Sequence, residues 1–206
     1  MPMTNAGNRF IYRLWAPIYD ATVNRFFRPG RRRALAVLAP QPGERILLVG
    51  VGTGADLPLL PAGVTAVGLD LSPHMLARAR RKLAQIPAAV SLVQADAQAA
   101  LFPPACFDAA ILNLILSVVP DGQAGLRTAV RAVRPGGRLV IFDKFQPDAE
   151  PVTVGRQVMN VFSTLLGTDI TRRLGALRQD CPVVVTHDEP SRLGGLYRVV
   201  RLQKSP

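Results

Sequence analysis

Three glycines stand at alternate positions, Gly50, Gly52 and Gly54, directly after the apolar run Arg45–Val49. An acid, Asp70, lies 20 residues beyond Gly50 and closes a second apolar run, Thr65–Asp70. These residue types at this spacing could hold a nucleoside. Glycines let the backbone approach a ligand closely, and a carboxylate at the end of the next strand accepts hydrogen bonds from ribose hydroxyls.

The spacing alone fits both a dinucleotide and S-adenosylmethionine. A dinucleotide rests its pyrophosphate on the N-terminus of the following helix. In this chain Asp56 puts negative charge at that point, and Pro58 and Pro61 interrupt the helix. Such a site is poor for phosphate and acceptable for a zwitterionic methionine tail. No metal-ligand cluster is legible, since His74 and His187 are isolated, and Cys106 and Cys181 form no CxxC pair and read as buried thiols.

Alternating elements must position these residues. Arg45–Val49, Thr65–Asp70, Val90–Val93 and Phe107–Leu112 read as short buried strands, and GRLVIF as a fifth. Ser72 and Pro73 supply an N-cap and a first-turn proline for a helix over 73–85, with Met75, Leu76, Ala79 and Leu83 on one face. A second helix is predicted from about Gly122 to Val133, before Pro135-Gly136-Gly137. Strand–helix alternation argues for an α/β fold with a mostly parallel, doubly wound sheet. The last third breaks this rhythm. Val152–Gln179 has helical period, and PVVVTH with GLYRVVRLQ predicts a C-terminal antiparallel strand pair.

Length and composition bound the rest. A chain of 206 residues with 49% hydrophobic residues makes one domain with a sizeable core. Its longest apolar run, Ala109–Val119, is too short to span a bilayer. The N-terminal stretch lacks the features of a signal peptide, so a cytoplasmic protein is expected. Lys and Arg total 25 against 14 Asp and Glu, a net charge of +11 that favours anionic partners. An arginine-rich compositional bias accounts for the same excess.

Four segments in order, LLVGVGTGADL, VGLDLSPHMLARARRK, LVQADAQ before FDAAILNLILSVVPD, and AVRAVRPGGRLVIFDKF, resemble the class I S-adenosylmethionine-dependent methyltransferases. The resemblance implies a Rossmann-like fold and S-adenosylmethionine as cofactor. It implies that Gly50, Val51, Gly52, Thr53 and Gly54 line the methionine part and that Asp70, with Leu71 and Met75 following, holds the ribose. Asp96 and Ala97 would meet the adenine, and Asn113 and Leu114 would lie beside the sulfonium. Leu48 departs from the pattern, because many relatives carry an acid there. Either Asp56 or Asn113 compensates, or cofactor binding is weakened, which keeps open a non-catalytic relative.

The N-terminal 41 residues speak to the acceptor. Phe10, Ile11, Leu14, Trp15 and Ile18 recur at helical spacing, accompanied by arginines and the run Arg31, Arg32, Arg33. This suits a helical lid, a helix lying on an anionic membrane surface, or both. The combination WAPIYD, PGRRRAL, VGVGTG and ILNLILSVVPD resembles bacterial phosphatidylethanolamine N-methyltransferases and the quinone-biosynthesis methyltransferases. In that group a Tyr-Asp pair closes the cofactor site, which maps to Tyr19 and Asp20 and makes Tyr19 the candidate catalytic group. Trp15 and Arg31–Arg33 are then candidate lipid contacts. A nucleic-acid substrate is disfavoured, since the fourth strand leads into Asn113-Leu114-Ile115-Leu116 rather than an Asn-Pro-Pro-aromatic run. The organisation expected is a helical segment at 1–41 and a methyltransferase domain at 42–206 with a helical insertion at about 151–180. It is expected to act as a monomer at the inner face of the cytoplasmic membrane.

Overall fold

The computed structural model describes residues 24–145 and 171–206. Seven strands form one sheet: β1 (Arg45–Val49), β2 (Thr65–Asp70), β3 (Ala89–Gln94), β4 (Phe107–Asn113), β5 (Val133–Lys144), β6 (Val183–Arg192) and β7 (Tyr197–Lys204). Their spatial order is β3-β2-β1-β4-β5-β7-β6. The first five are parallel, and β7 enters antiparallel between β5 and β6. This is the Rossmann-like sheet with the antiparallel C-terminal pair that the alternation predicts. The chain winds outward in both directions from the β1/β4 boundary, so a crevice opens there at the carboxyl ends of the strands.

Period-two alternation divides the core between the two faces of the sheet. Leu47, Val49, Ala110, Leu112, Leu139 and Ile141 join Leu126 and Ala129 of helix α3 (Gly122–Ala132) on one face. Ile46, Leu48, Ala109, Ile111, Val140 and Phe142 face Ala34 and Leu38 of α1 (Asn24–Leu38), and Leu76 and Ala79 of α2 (Pro73–Arg80) join the same cluster. Each fully buried Leu or Ile contributes about 1.5–3 kcal/mol relative to exposure. Gly30 lets α1 lie against the sheet, because a Cβ there would stand 2.2 Å from Cζ of Phe142.

Three boundaries differ from the expectation. The helix beginning at Pro73 ends at Arg80, and the Lys82 amide, bonded to the Ala79 carbonyl, tightens the chain towards a 3₁₀ turn at Leu83–Gln85. Strand β5 begins at Val133, immediately after α3, and crosses the Pro-Gly-Gly segment with a register shift opposite Phe107 and Ala109. Strand β6 runs on to Arg192. Most of the helical period read at Val152–Gln179 lies outside the described residues. Its described end holds only the short helix α4 (Leu174–Leu177). No helix among the described residues is long and apolar enough to cross a membrane.

Candidate active site

The glycine loop leaves β1 through three left-handed residues, Gly50 (φ +71°), Gly52 (φ +55°) and Gly54 (φ +77°). Their requirements differ. A Cβ on Gly50 would strike the Ile115 side chain at 2.5 Å, and one on Gly54 would press on Leu57 and Ala79. A Cβ on Gly52 would meet nothing nearer than the Gly50 carbonyl oxygen at 4.0 Å. Gly50 and Gly54 are therefore glycines for packing. Gly52 keeps an open cradle over the carboxyl end of the sheet, which suits a ligand lying against backbone. Val51 turns its side chain into the core and donates its N–H to the Leu69 carbonyl at 2.8 Å, so only its backbone can serve a ligand. Thr53 is buried in the same turn.

No helix follows the loop directly. The chain makes a single 3₁₀ turn, Leu57–Leu59, with Pro58 at its start. Without a helix dipole and a fan of free N–H groups, a pyrophosphate would find no seat here.

Asp70 ties the loop to β2. One oxygen accepts from the Gly52 N–H at 2.9 Å, the other from the Ser72 N–H at 2.9 Å. Burial pushes its carboxyl above the usual range, and the N–H groups of Ser72, Gly52 and Leu71 pull against that shift. With three N–H groups on a carboxylate that accepts about four hydrogen bonds, one acceptor position is left for a ribose hydroxyl. Leu71 is half-buried, and Met75 is buried in the first turn of α2, whose N-cap Ser72 accepts from the Met75 N–H at 3.4 Å. One strand further along the row, half-buried Asp96 accepts from both the backbone N–H and the side-chain amide of Gln98, at 2.9 Å each, with Ala97 buried beside it. The ends of β1, β2 and β3 thus bring the sequence-predicted loop, Asp70 and Asp96 to one edge.

At the end of β4, Leu114 adopts φ +59°, a left-handed conformation that costs a non-glycine residue on the order of 1–3 kcal/mol. Its N–H donates to the Phe142 carbonyl at 2.8 Å. Asn113, 5% exposed, donates its side-chain amide to Oδ1 of Asp56 at 2.9 Å. The other oxygen of Asp56 accepts from Nη1 of Arg31 at 2.6 Å. Leu48, by contrast, packs among apolar residues at 1% exposure and takes no part in the polar site.

This arrangement corrects the reading of Arg31–Arg33 as one exposed basic run. Arg31 is buried and paired with Asp56. Arg33 makes a two-pronged bond to Glu189 of β6 at 2.6 and 2.9 Å, and Arg32 is exposed. The reason is helical geometry: Arg31, Ala34 and Leu38 share the inward face of α1. That i, i+3, i+7 spacing was the signal available in the sequence. Cys106 and Cys181 are free and only half-buried. Trp15, Tyr19 and Asp20 lie outside the described residues.

A further polar group went unread in the sequence. Asp143, fully buried near the carboxyl end of β5, accepts from the Ser117 N–H at 3.0 Å and from the Lys144 N–H at 2.9 Å. Burial pushes its carboxyl up, against the pull of the Ser117 hydroxyl and the Lys144 ammonium. It fastens the segment after β4 to β5. An acid inside the apolar run GRLVIFDKF was its only trace.

The cradle over Gly52, the acid at Asp70 and a site without a phosphate seat together fit an adenosyl ligand with an amino-acid tail. Comparisons with known proteins agree. Residues 47–141 match the model of a methyltransferase domain family. The chain is 33% identical over 195 residues to a phosphatidylethanolamine N-methyltransferase of Cereibacter sphaeroides, covering 94% of this chain and 95% of that protein. It is 37% identical over 137 residues to a demethylmenaquinone methyltransferase of Thermus thermophilus, covering 62% and 61%. Among solved structures, an S-adenosylmethionine-dependent methyltransferase of Thermotoga maritima shares the fold with a TM-score of 0.69 at 21% identity, covering 95% of this chain and 99% of that one.

Proposed function

Because this chain belongs to the S-adenosylmethionine-dependent methyltransferase family, we propose that it methylates the amino head group of a phospholipid such as phosphatidylethanolamine at an anionic membrane surface. The observation that carries this reading is the 33% identity, end to end, with a protein named for that reaction. The surface of α1 gives it physical support. Arg25, Arg28 and Arg32 are exposed along the helix, and Phe26 is 41% exposed with the Arg192 guanidinium 5.3 Å from its ring centre. An exposed aromatic among arginines suits the boundary between lipid head groups and acyl chains.

When bound, the cofactor supplies an electrophilic methyl on its sulfonium. The chain supplies alignment and exclusion of water. Asp70 and the glycine loop fix the nucleoside end, while the strained turn at Leu114 shapes the wall beside the β1/β4 boundary. An attacking amine must first lose its proton, and Tyr19 is the proposed assistant at that step, as well as a lid over the cofactor.

A quinone is the second reading, favoured by the 37% identity with the demethylmenaquinone enzyme over the central part of the chain. Turnover of methyl-labelled cofactor decides between them, using vesicles of phosphatidylethanolamine and phosphatidylglycerol, a demethylated quinone and RNA. Label in the lipid fraction is expected, together with sedimentation on phosphatidylglycerol vesicles that fades with added salt. Label in the quinone, or no vesicle binding at low salt, overturns the lipid reading.

A further inference from the structure

The segment that follows β4, residues 114–120, is gripped by two charged groups of opposite sign. Asp143 takes its donors. One carboxyl oxygen accepts from the Ser117 N–H at 3.0 Å, and the Ser117 hydroxyl bonds the same carboxyl. Arg172, just before α4, takes its acceptors. The guanidinium donates through Nη1 to the Leu116 carbonyl, and through Nη2 to the carbonyls of Val119 at 2.7 Å and Pro120 at 3.0 Å. Gly122, at the start of α3, makes room for it, because a Cβ there would strike Nη1 of Arg172.

The turn itself does not need these charges to close. Both the Val118 and the Val119 N–H donate to the Ile115 carbonyl at 3.0 Å. Asp143 and Arg172 therefore fix where the turn stands rather than its shape. At its start stand Leu114, held at φ +59°, and Ile115, whose side chain lies where a Cβ on Gly50 would meet it at 2.5 Å. A strained residue such as Leu114 persists only where its surroundings over-determine it.

We infer that Asp143 and Arg172 are positioning residues for methyl transfer. They set the wall made by Leu114 and Ile115 against the glycine loop, so that acceptor and methyl meet in line. A misplacement on the order of 1 Å, caused by a change away from the chemistry, can cost about 100-fold in rate. On this reading the β1/β4 crevice is where transfer occurs, and Gly52→Val tests that separately through cofactor binding.

Single-turnover kinetics on the full chain test the pair. Labelled methyl is followed from S-adenosylmethionine to phosphatidylethanolamine in vesicles, or to a demethylated quinone where that takes the label. Asp143→Asn and Arg172→Gln should each slow transfer at saturating cofactor by about tenfold or more, while calorimetric affinity for S-adenosylhomocysteine stays within about threefold. Ser117→Ala keeps the backbone bond to Asp143 and should lose only about two- to threefold. Arg172→Lys restores the charge and should recover part of the Arg172→Gln loss. Arg138→Met, at the other end of the sheet, controls for stability alone and should leave the rate per folded molecule unchanged. Unchanged rates in Asp143→Asn and Arg172→Gln, or slowing only in proportion to the unfolded fraction, overturn the inference. A fall in S-adenosylhomocysteine affinity as large as the fall in rate does so too. If the parent protein labels neither acceptor, amide hydrogen exchange reads the same wall. Added S-adenosylhomocysteine should then slow exchange at residues 114–119 in the parent and less in the variants, and equal slowing in all of them overturns the inference. If Asp143→Asn does not fold, the two Arg172 variants carry the comparison.

Discussion

Two arginine–carboxylate pairs, one half-buried and one buried, sit at opposite ends of one sheet, and they are bonded differently. At the amino end, Arg138 of β5 grips Glu44 with Nη1 and Nη2, both at 2.7 Å, and its remaining donors reach the carbonyls of Leu38 at 2.8 Å and Ala39 at 2.9 Å. Every nitrogen of that guanidinium is bonded, and it clamps the end of α1 to the start of β1. At the carboxyl end, Arg31 meets Asp56 through one nitrogen, and both Arg31 and Asn113 keep a buried atom without a partner among the described residues. A buried polar group left unsatisfied costs about 1–3 kcal/mol. The group at the carboxyl end carries that cost beside the glycine loop, and the pair at the amino end does not.

The largest test of this contrast is Gly52→Val. Its Cβ would stand in the open cradle, 4.0 Å from the Gly50 carbonyl oxygen, and the two methyls beyond it would take the ligand's space, so cofactor binding should be abolished. The positive φ adds strain on the order of 1 kcal/mol, seen as a modest drop in thermal midpoint. Normal cofactor binding by this variant in calorimetry would remove the loop from the site.

The amino end should show the reverse pairing. Arg138→Met strands half-buried Glu44 and two carbonyls, and leaving such groups without partners costs about 1–3 kcal/mol of stability. Urea unfolding should register that loss while cofactor affinity in the surviving folded protein stays unchanged. A parallel loss of affinity would mean that the two ends are not separable.

Asp70→Ala comes next. It removes acceptors for the Gly52 and Ser72 N–H groups as well as the proposed ribose contact, and it should cost about 1–3 kcal/mol of cofactor binding. Asp70→Asn, which keeps the shape, sharpens the measurement. Unchanged calorimetric affinity in both variants would exclude the carboxylate from ligand binding.

The same division explains what the sequence made legible. Gly50–Gly54, Asp70 and the Ser72 cap belong to short stretches in which each element follows its neighbour, so spacing alone exposed them. Strand β1 and the start of α2 fell where the pattern put them for the same reason. Arg31–Asp56 spans 25 positions and Arg138–Glu44 spans 94, and no local pattern encodes either meeting. Three arginines in a row read as a solvated face, although only the helical phase decides which one turns inward. Asp143 was hidden because an apolar strand ending in an acid looks like a strand simply ending.

The smallest effect expected is in the response to acid. Arg138 holds the Glu44 carboxyl below the usual glutamate range, helped by the Gln41 N–H and opposed by burial. Asp108, bonded by the Arg45 N–H and by Arg134 at the same end, is also lowered despite its own burial. A carboxylate depressed by folding stabilises the native state above its unfolded value, ~4.3 for glutamate. That contribution is lost as pH falls through the lower folded value. At the carboxyl end the sign is opposite. Burial raises Asp70 and Asp143, so the folded chain takes up their protons first and those two sites favour folding as pH drops. Glu44→Gln should therefore flatten the loss of stability below about pH 5, by on the order of 1 kcal/mol in urea unfolding compared at neutral and acid pH. Asp143→Asn should steepen it, because a group that gains from acid has been removed. If Glu44→Gln steepens the acid limb, or Asp143→Asn flattens it, the amino end is not the acid-sensitive clamp and the contrast between the two ends fails.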